Sequence, residues 1–370
     1  MKGIRHPSEY IAPEYVEKIR DTAGESEQLK QLHPAQLEII YGQKWIQLFV
    51  PKIHHGPEFS LPDALRLEEA LAWADGSLGW TVTLCAGAGW FIGFLDPDLI
   101  PSVFNDYTLC IAGSGKAAGI AKKIANGYEI SGYWNYATGA AHATAFTANC
   151  VMEENGVPLK NPDGSPAVQA FLFLRDEVTV HENWNSMGLI ATGSHSFEVR
   201  NVRVKKNRAF RIDRASATLP HPIYQYPFRS FAETTLAVNS SGMAVRFLDL
   251  CEILFSQKEN DAAPVLLENA RKQLNQARQL FYETAESSWQ ECIQNRTIPP
   301  LLLDLITHAS RRLARSAREV VDALYPCCGL QAADPGKEIN RVWRNLHTAS
   351  QHQLLNGCDP VPVSDPIHRV

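Results

Sequence analysis

GYEISGYWNYATG, residues 127–139, is the stretch from which the fold can be read. Tyr128, Ile130, Tyr133 and Tyr136 are large and β-prone, and Gly127, Gly132 and Gly139 punctuate them. The pattern predicts a hairpin, strand then tight turn then strand, in a sheet whose ends carry function. Trp134, Tyr136 and Thr138 alternate, so they are expected to share one face of the second strand.

A second stretch, NWNSMGLIATGSHSFEVRNVRV at 183–204, places Trp184, then Met187-Gly188-Leu189, then Thr192-Gly193-Ser194, before a run that alternates as a half-buried strand should. Between the two, 161–167 reads as a surface turn and 170–180 as an apolar strand that becomes polar. Upstream, Gly113, Gly115 and Gly119 suggest a phosphate loop. The spacing is wrong, and no βαβ unit with a distal acid follows. A sheet edge with a flexible crossing is expected there.

Helical patterns flank this β region. Pro7, Pro13, Pro34, Pro51 and Pro57 cut the N-terminal part into short helices, with 36–50 as its longest apolar piece. Ser60 starts a helix, ADGSLGW at 74–80 breaks it, and a second apolar helix runs over 80–94. Its Ala86, Gly87, Ala88 and Gly89 leave space, either for a ligand or for close helix packing. After a linker with Pro220, Pro222 and Pro227, helices are expected over 231–255, 263–294, 301–324 and 340–355. In the third, Leu305, Ala309, Leu313, Ser316, Val320 and Ala323 step along one face. The tail from Gly357 is proline-broken and is expected to wrap the surface or a neighbour.

The 370 residues suffice for two or three domains. A net charge of -5 argues against nucleic acid or an anionic membrane as partner. No apolar run reads as membrane-spanning, and the N-terminus lacks a secretory core. Eight cysteines, including the adjacent Cys327 and Cys328 and the C-terminal Cys358, form no CxxC pair. They read as reduced thiols in a cytoplasmic protein, with no metal site.

With these flanking helices, the two stretches resemble the acyl-CoA dehydrogenase superfamily over roughly 65–356. They are most similar to its two-component, reduced-flavin-dependent monooxygenase branch (group D). The resemblance implies an α+β, mostly α fold: an N-terminal helical domain (1–105), a central β domain (106–213) and a C-terminal four-helix bundle (214–370). It implies a homotetramer, a dimer of dimers. It also implies an oxygenase component that takes reduced FMN or FAD from a separate flavin reductase. With O2, such an enzyme oxidises a small aromatic or heteroatom substrate between the 61–94 region and the β domain.

The same resemblance assigns residues. Trp134, Tyr136 and Thr138 would lie against the flavin ring, with the Thr138 hydroxyl at N5. Trp184, Met187 and Thr192 would close over the dimethylbenzene and ribityl side, although Met187 equally suits a core. His352, in RVWRNLHTASQH on the final helix, would face C4a as base or hydroperoxide stabiliser. His347, on another part of that helix, would not. The small-residue helix lines the substrate pocket in this branch.

Some positions depart from the pattern. Glu233 stands where dehydrogenases carry an Arg for the ADP half of FAD, and CCGLQAADPG replaces a Gly-Gly-x-Gly loop. Flavin is therefore expected to be held weakly. Gln353 occupies the usual position of the dehydrogenase base. Two alternatives stand beside the oxygenase: an FAD-dependent acyl-CoA dehydrogenase using Glu233, and a non-catalytic paralogue of the same fold.

Overall fold

The computed structural model describes residues 4–104, 108–256 and 262–356. The boundary at 105/106, the tail from Gly357 and Cys358 lie outside the described residues.

The N-terminal part is built from α1 (Pro13–Leu29), α2 (Pro34–Gly42), α3 (Leu61–Ala74), α4 (Gly76–Gly89) and α5 (Ile100–Phe104). The expected 36–50 helix is shorter: α2 stops at Gly42, Lys44 turns left-handed at φ 56°, and a 3-10 turn takes Trp45–Gln47. Ser60 Oγ caps α3 by accepting from Asp63 N. A single residue, Asp75, separates α3 from α4, and its carboxylate caps α4 by accepting from Leu78 N at 2.9 Å. Gly79 lets α4 fold back on α3, because a Cβ there would lie 2.5 Å from Ala72 Cα. One helical run, Gly76–Phe94, is long and apolar enough to cross a membrane by length and composition, contrary to the sequence reading; 78% of it is buried inside the fold.

Among the described residues, β1 (Ile111–Ile124), β2 (Gly127–Ala137), β3 (Ala145–Glu154), β4 (Val157–Pro158), β5 (Val168–Leu174), β6 (Thr179–His181), β7 (His195–Lys205) and β8 (Ala209–Phe210) form one sheet. Its order is β6-β7-β2-β1-β3-β5-β8, with β4 on β3. Two expectations are corrected here. Residues 127–137 are one continuous strand, and the hairpin turn lies before it, between β1 and β2. Gly132 makes room rather than a turn: a Cβ there would sit 2.3 Å from the Trp134 ring. The 113–119 stretch belongs to β1, an interior strand whose register shifts twice against β3.

The C-terminal part comprises α6 (Phe228–Phe255), α7 (Ala262–Asn295), α8 (Pro300–Leu324), α9 (Glu338–Ala349) and α10 (Gln353–Asn356). Helix α6 is buried nearly all round and packs on α3, α7, α8 and α9. The buried face of α8 runs through Ile306, Leu313, Ala317 and Leu324, slightly rotated from the expected stripe, since Leu305 is half exposed. A buried ion pair ties the first and last parts together. Arg278 of α7 reaches both carboxylate oxygens of Glu69 on α3 at 2.8 Å, and Tyr282 and Ser241 donate to the same carboxylate.

Candidate active site

Where α4, the edges of β1 and β3, the start of α6 and the segment after α9 meet, they leave a cavity of about 270 Å³. Its walls are mostly apolar, with Leu84, Phe91, Ile111, Phe228 and Phe231 among them. Thr83, Thr138, Thr235, Asn149 and His352 supply polar groups. Apolar walls with a few convergent polar groups are the usual make-up of a small-molecule site. Thus Thr138 and His352, 214 residues apart in sequence, line one space.

Thr138 is fixed by the second motif. The strand end of β2 and the Thr192-Gly193-Ser194 turn dock through Gly139 N to Thr192 O at 3.0 Å. Three buried hydroxyls form a chain: Thr138 to Ser194 at 2.9 Å and Ser194 to Thr192 at 2.7 Å. Thr192 donates its hydrogen to Leu189 O at 2.8 Å. Each hydroxyl has one hydrogen, so Ser194 must donate to Thr192 and Thr138 to Ser194. Thr138 therefore has only lone pairs left, and it can offer the cavity an acceptor. Ser194, not singled out in the sequence, sets this polarity.

His352 is not on the final helix as expected. Helix α9 ends at Ala349, and His352 sits in the bend before α10, where its Nδ1 accepts from Leu354 N at 3.3 Å. The neutral ring then carries its hydrogen on Nε2 and acts as a donor. Burial lowers its pKa, which favours that neutral form, and the Trp80 ring lies edge-on at 5.9 Å. His347 is engaged elsewhere, between Asp322 at 2.8 Å and the Trp343 carbonyl at 2.8 Å.

Trp134, Tyr136 and Thr138 do not share a face. A register shift falls between Trp134 and Ala137, and Tyr136 takes a left-handed φ of 66°. Trp134 is fully buried in the sheet core, stacked 5.1 Å from Phe197, and is set aside as a flavin contact. Tyr136 is 75% exposed and stands edge-on to Trp184 at 6.0 Å. Met187 is half exposed rather than core filler. The Trp-Arg-Asn run clamps this loop: Arg344 donates to Met187 O at 2.7 Å, and Asn345 Oδ1 accepts from Leu189 N at 2.6 Å.

Glu233 is also corrected. It points away from the cavity that Phe231, Ala232 and Thr235 line, and its carboxylate accepts from Thr307 at 2.6 Å, Arg229 at 3.2 Å and Arg311 at 3.3 Å. One position on a helix decides the face, and this one faces α8. Cys85, behind Thr138, lies 3.5 Å from Cys110, and that contact together with burial pushes its thiol well up.

A family model described as "Acyl-CoA dehydrogenase, C-terminal domain" matches residues 232–357. The fold superimposes on the crystal structure of the HsaA monooxygenase from M. tuberculosis with a TM-score of 0.86, at 22% identity, covering 95% of this chain and 94% of that one. Residues 232–357 thus carry the acyl-CoA dehydrogenase C-terminal domain, and the whole chain has the fold of that monooxygenase. The chain is also similar to indole-3-acetate monooxygenase of Pseudomonas putida, 24% identical over 350 residues, 91% of this chain and 88% of the relative. It also matches XiaF from Streptomyces sp., solved in complex with FADH2 and glycerol, with a TM-score of 0.85 at 20% identity, covering 94% and 91%.

Proposed function

We propose that the chain is the oxygenase component of a two-component flavin-dependent monooxygenase, oxidising a small aromatic or heteroatom substrate with O2 and reduced FMN or FAD. The observation that carries this reading is the meeting of Thr138 and His352 over one apolar cavity.

The residues fit a flavin. The exposed Tyr136, two residues before Thr138, and the exposed Met187 flank the half-buried Trp184, an aromatic and thioether ledge that a flat ring system can cover. Such side chains would hold the ring, and Thr138, with Thr192 and Ser194 behind it, would meet N5. Thr138 presents an acceptor. That suits reduced flavin, whose N5 carries a hydrogen, better than oxidised flavin, whose N5 carries none. When bound, reduced flavin supplies the electrons that activate O2. His352 Nε2–H offers a hydrogen bond to negative charge that develops on oxygen. The apolar walls exclude water. With Glu233 turned toward α8, the cavity has no carboxylate among its described lining residues to serve a dehydrogenase.

A flavin reductase partner and a cytoplasmic location belong to the same reading, as does a dimer of dimers. The exposed Val265, Leu266 and Ile293 of α7 and Leu301 and Leu305 of α8 are apolar surface that such an assembly would cover. Light scattering at micromolar concentration is expected to give a tetramer; a monomer removes that element.

The purified protein is expected to be colourless or faintly yellow and to bind reduced FMN or FAD more tightly than the oxidised form. Anaerobic fluorescence titration of both redox forms measures the difference. Stoichiometric flavin surviving gel filtration would contradict it. Mixing the protein and photoreduced flavin with air, in the presence of phenols, indoles and sulfides, tests the activity by product and hydrogen peroxide yield. No oxygenated product from any of them removes the oxygenase reading.

A further inference from the structure

Helix α4 meets the cavity through a gap in its own surface. Within Gly76–Gly89, Leu84 and Gly87 are the residues that are not buried, and both line the cavity. Thr83, Gly87 and Phe91 follow at intervals of four along the helical run, and all three line the cavity. The wall therefore drops to bare backbone between two side chains. Close packing explains the neighbouring glycines. A Cβ at Gly76 would lie 2.7 Å from Met243 Sδ, one at Gly79 2.5 Å from Ala72 Cα, and one at Gly89 3.1 Å from Ile46 O. Gly87 has no such reason. A Cβ there would meet a single atom beyond its own stretch of helix, Phe231 Cε1, at an ordinary 3.8 Å.

Glycine inside a helix is less stable than alanine, because it loses more conformational freedom on folding. Where neither backbone nor packing demands it, a locally unfavourable residue marks a functional position. What Gly87 leaves is space between α4 and α6. Phe231 is not free to close it: its ring is 1% exposed, stacked 5.1 Å from Trp90 and edge-on to Phe49 at 4.9 Å. We propose that Gly87 is a specificity-determining residue, whose missing side chain admits the second ring of a fused two-ring compound. A leucine side chain at this position would carry as many carbons as the second ring adds to the first. This rests on the reading of the cavity as the substrate site; within that site, Gly87 sets how deep a substrate reaches.

Calorimetric titration of the purified protein with phenol and 2-naphthol tests this without turnover. The two share their polar group and differ by one fused ring. Wild type should bind 2-naphthol about tenfold more tightly, from the added apolar surface. Gly87→Leu should abolish that preference while keeping phenol affinity within a few fold and the circular-dichroism spectrum unchanged. Gly87→Ala should weaken 2-naphthol a few fold and yet raise the midpoint of urea unfolding, since alanine suits the helix and meets no clash. Gly79→Ala, where the space is already filled, should lower that midpoint. If Gly87→Leu keeps the wild-type ratio of the two affinities, the inference is overturned while the cavity reading stands. A lowered midpoint in Gly87→Ala overturns it too, because the glycine then serves packing; this measurement decides if Gly87→Leu does not fold. If neither probe binds wild type, the cavity reading itself falls.

Discussion

His352→Ala should lower coupled product formation about a hundred- to a thousandfold, the usual cost of removing one hydrogen-bond donor from developing oxyanion charge. Reduced-flavin affinity should stay within a few fold and hydrogen peroxide release should rise. The fold should survive, because His352 lies in a bend rather than inside α9. His347→Ala is the control, since that ring is held by Asp322 and Trp343 away from the cavity lining. Burial lowers the His352 pKa below its ordinary value, so the neutral ring persists below the pH at which a free imidazole charges. The acid limb of product formation should therefore fall below pH ~6.5. The same shift means that the folded state resists protonation, so this residue weakens folding as pH drops through the unfolded value. Wild-type coupling in His352→Ala would sink the assignment.

Arg278→Met should destabilise the fold by about 3–5 kcal/mol, the range for stripping one partner from a buried ion pair. Glu69, 1% exposed at its side chain, would be left without its cation. Arg278 also donates to the backbone carbonyl of Arg5 at 2.9 Å, so the loss would loosen the chain start from α7. Equilibrium urea unfolding measures the change. The double variant Glu69→Gln with Arg278→Met should recover part of the loss, because no buried charge is then left unpaired. A loss under ~1 kcal/mol in the single variant would show that water reaches the carboxylate.

Much of the fold was legible because periodicity is local. The alternation of 196–204, the Ser60 cap and the bounds of α7 and α8 each depend on neighbours a few residues away. The site was legible in its two motifs, which do dock on each other. The errors came where a distant group decides. Gly132 looked like a turn because the space it leaves is filled by an indole folded over from Trp134 on its own strand. The alternation of Trp134, Tyr136 and Thr138 failed at a bulge that nothing in the residue types demands. Glu233 looked free to serve as a base because its partners Thr307 and Arg311 lie more than seventy residues away in sequence. Glu68 and Thr83 gave no motif at all: a lone acidic residue in a helix pattern normally reads as solvated, yet Glu68 is fully buried.

The order in which the cavity is enclosed has a consequence for biosynthesis. Its lining residues in α4, the sheet and α6 all precede residue 240, yet His352 and Leu354 close it from near the end of the chain. The clamp on the 187–189 loop, from Arg344 and Asn345, is just as late. A ribosome-bound chain can therefore hold a finished β domain and most of its helices while its ledge and cavity stay unclosed. Flavin captured at that stage would meet oxygen beside an incomplete wall and release peroxide near the nascent chain. Making the closing segment last defers that chemistry until the rest of the fold is in place.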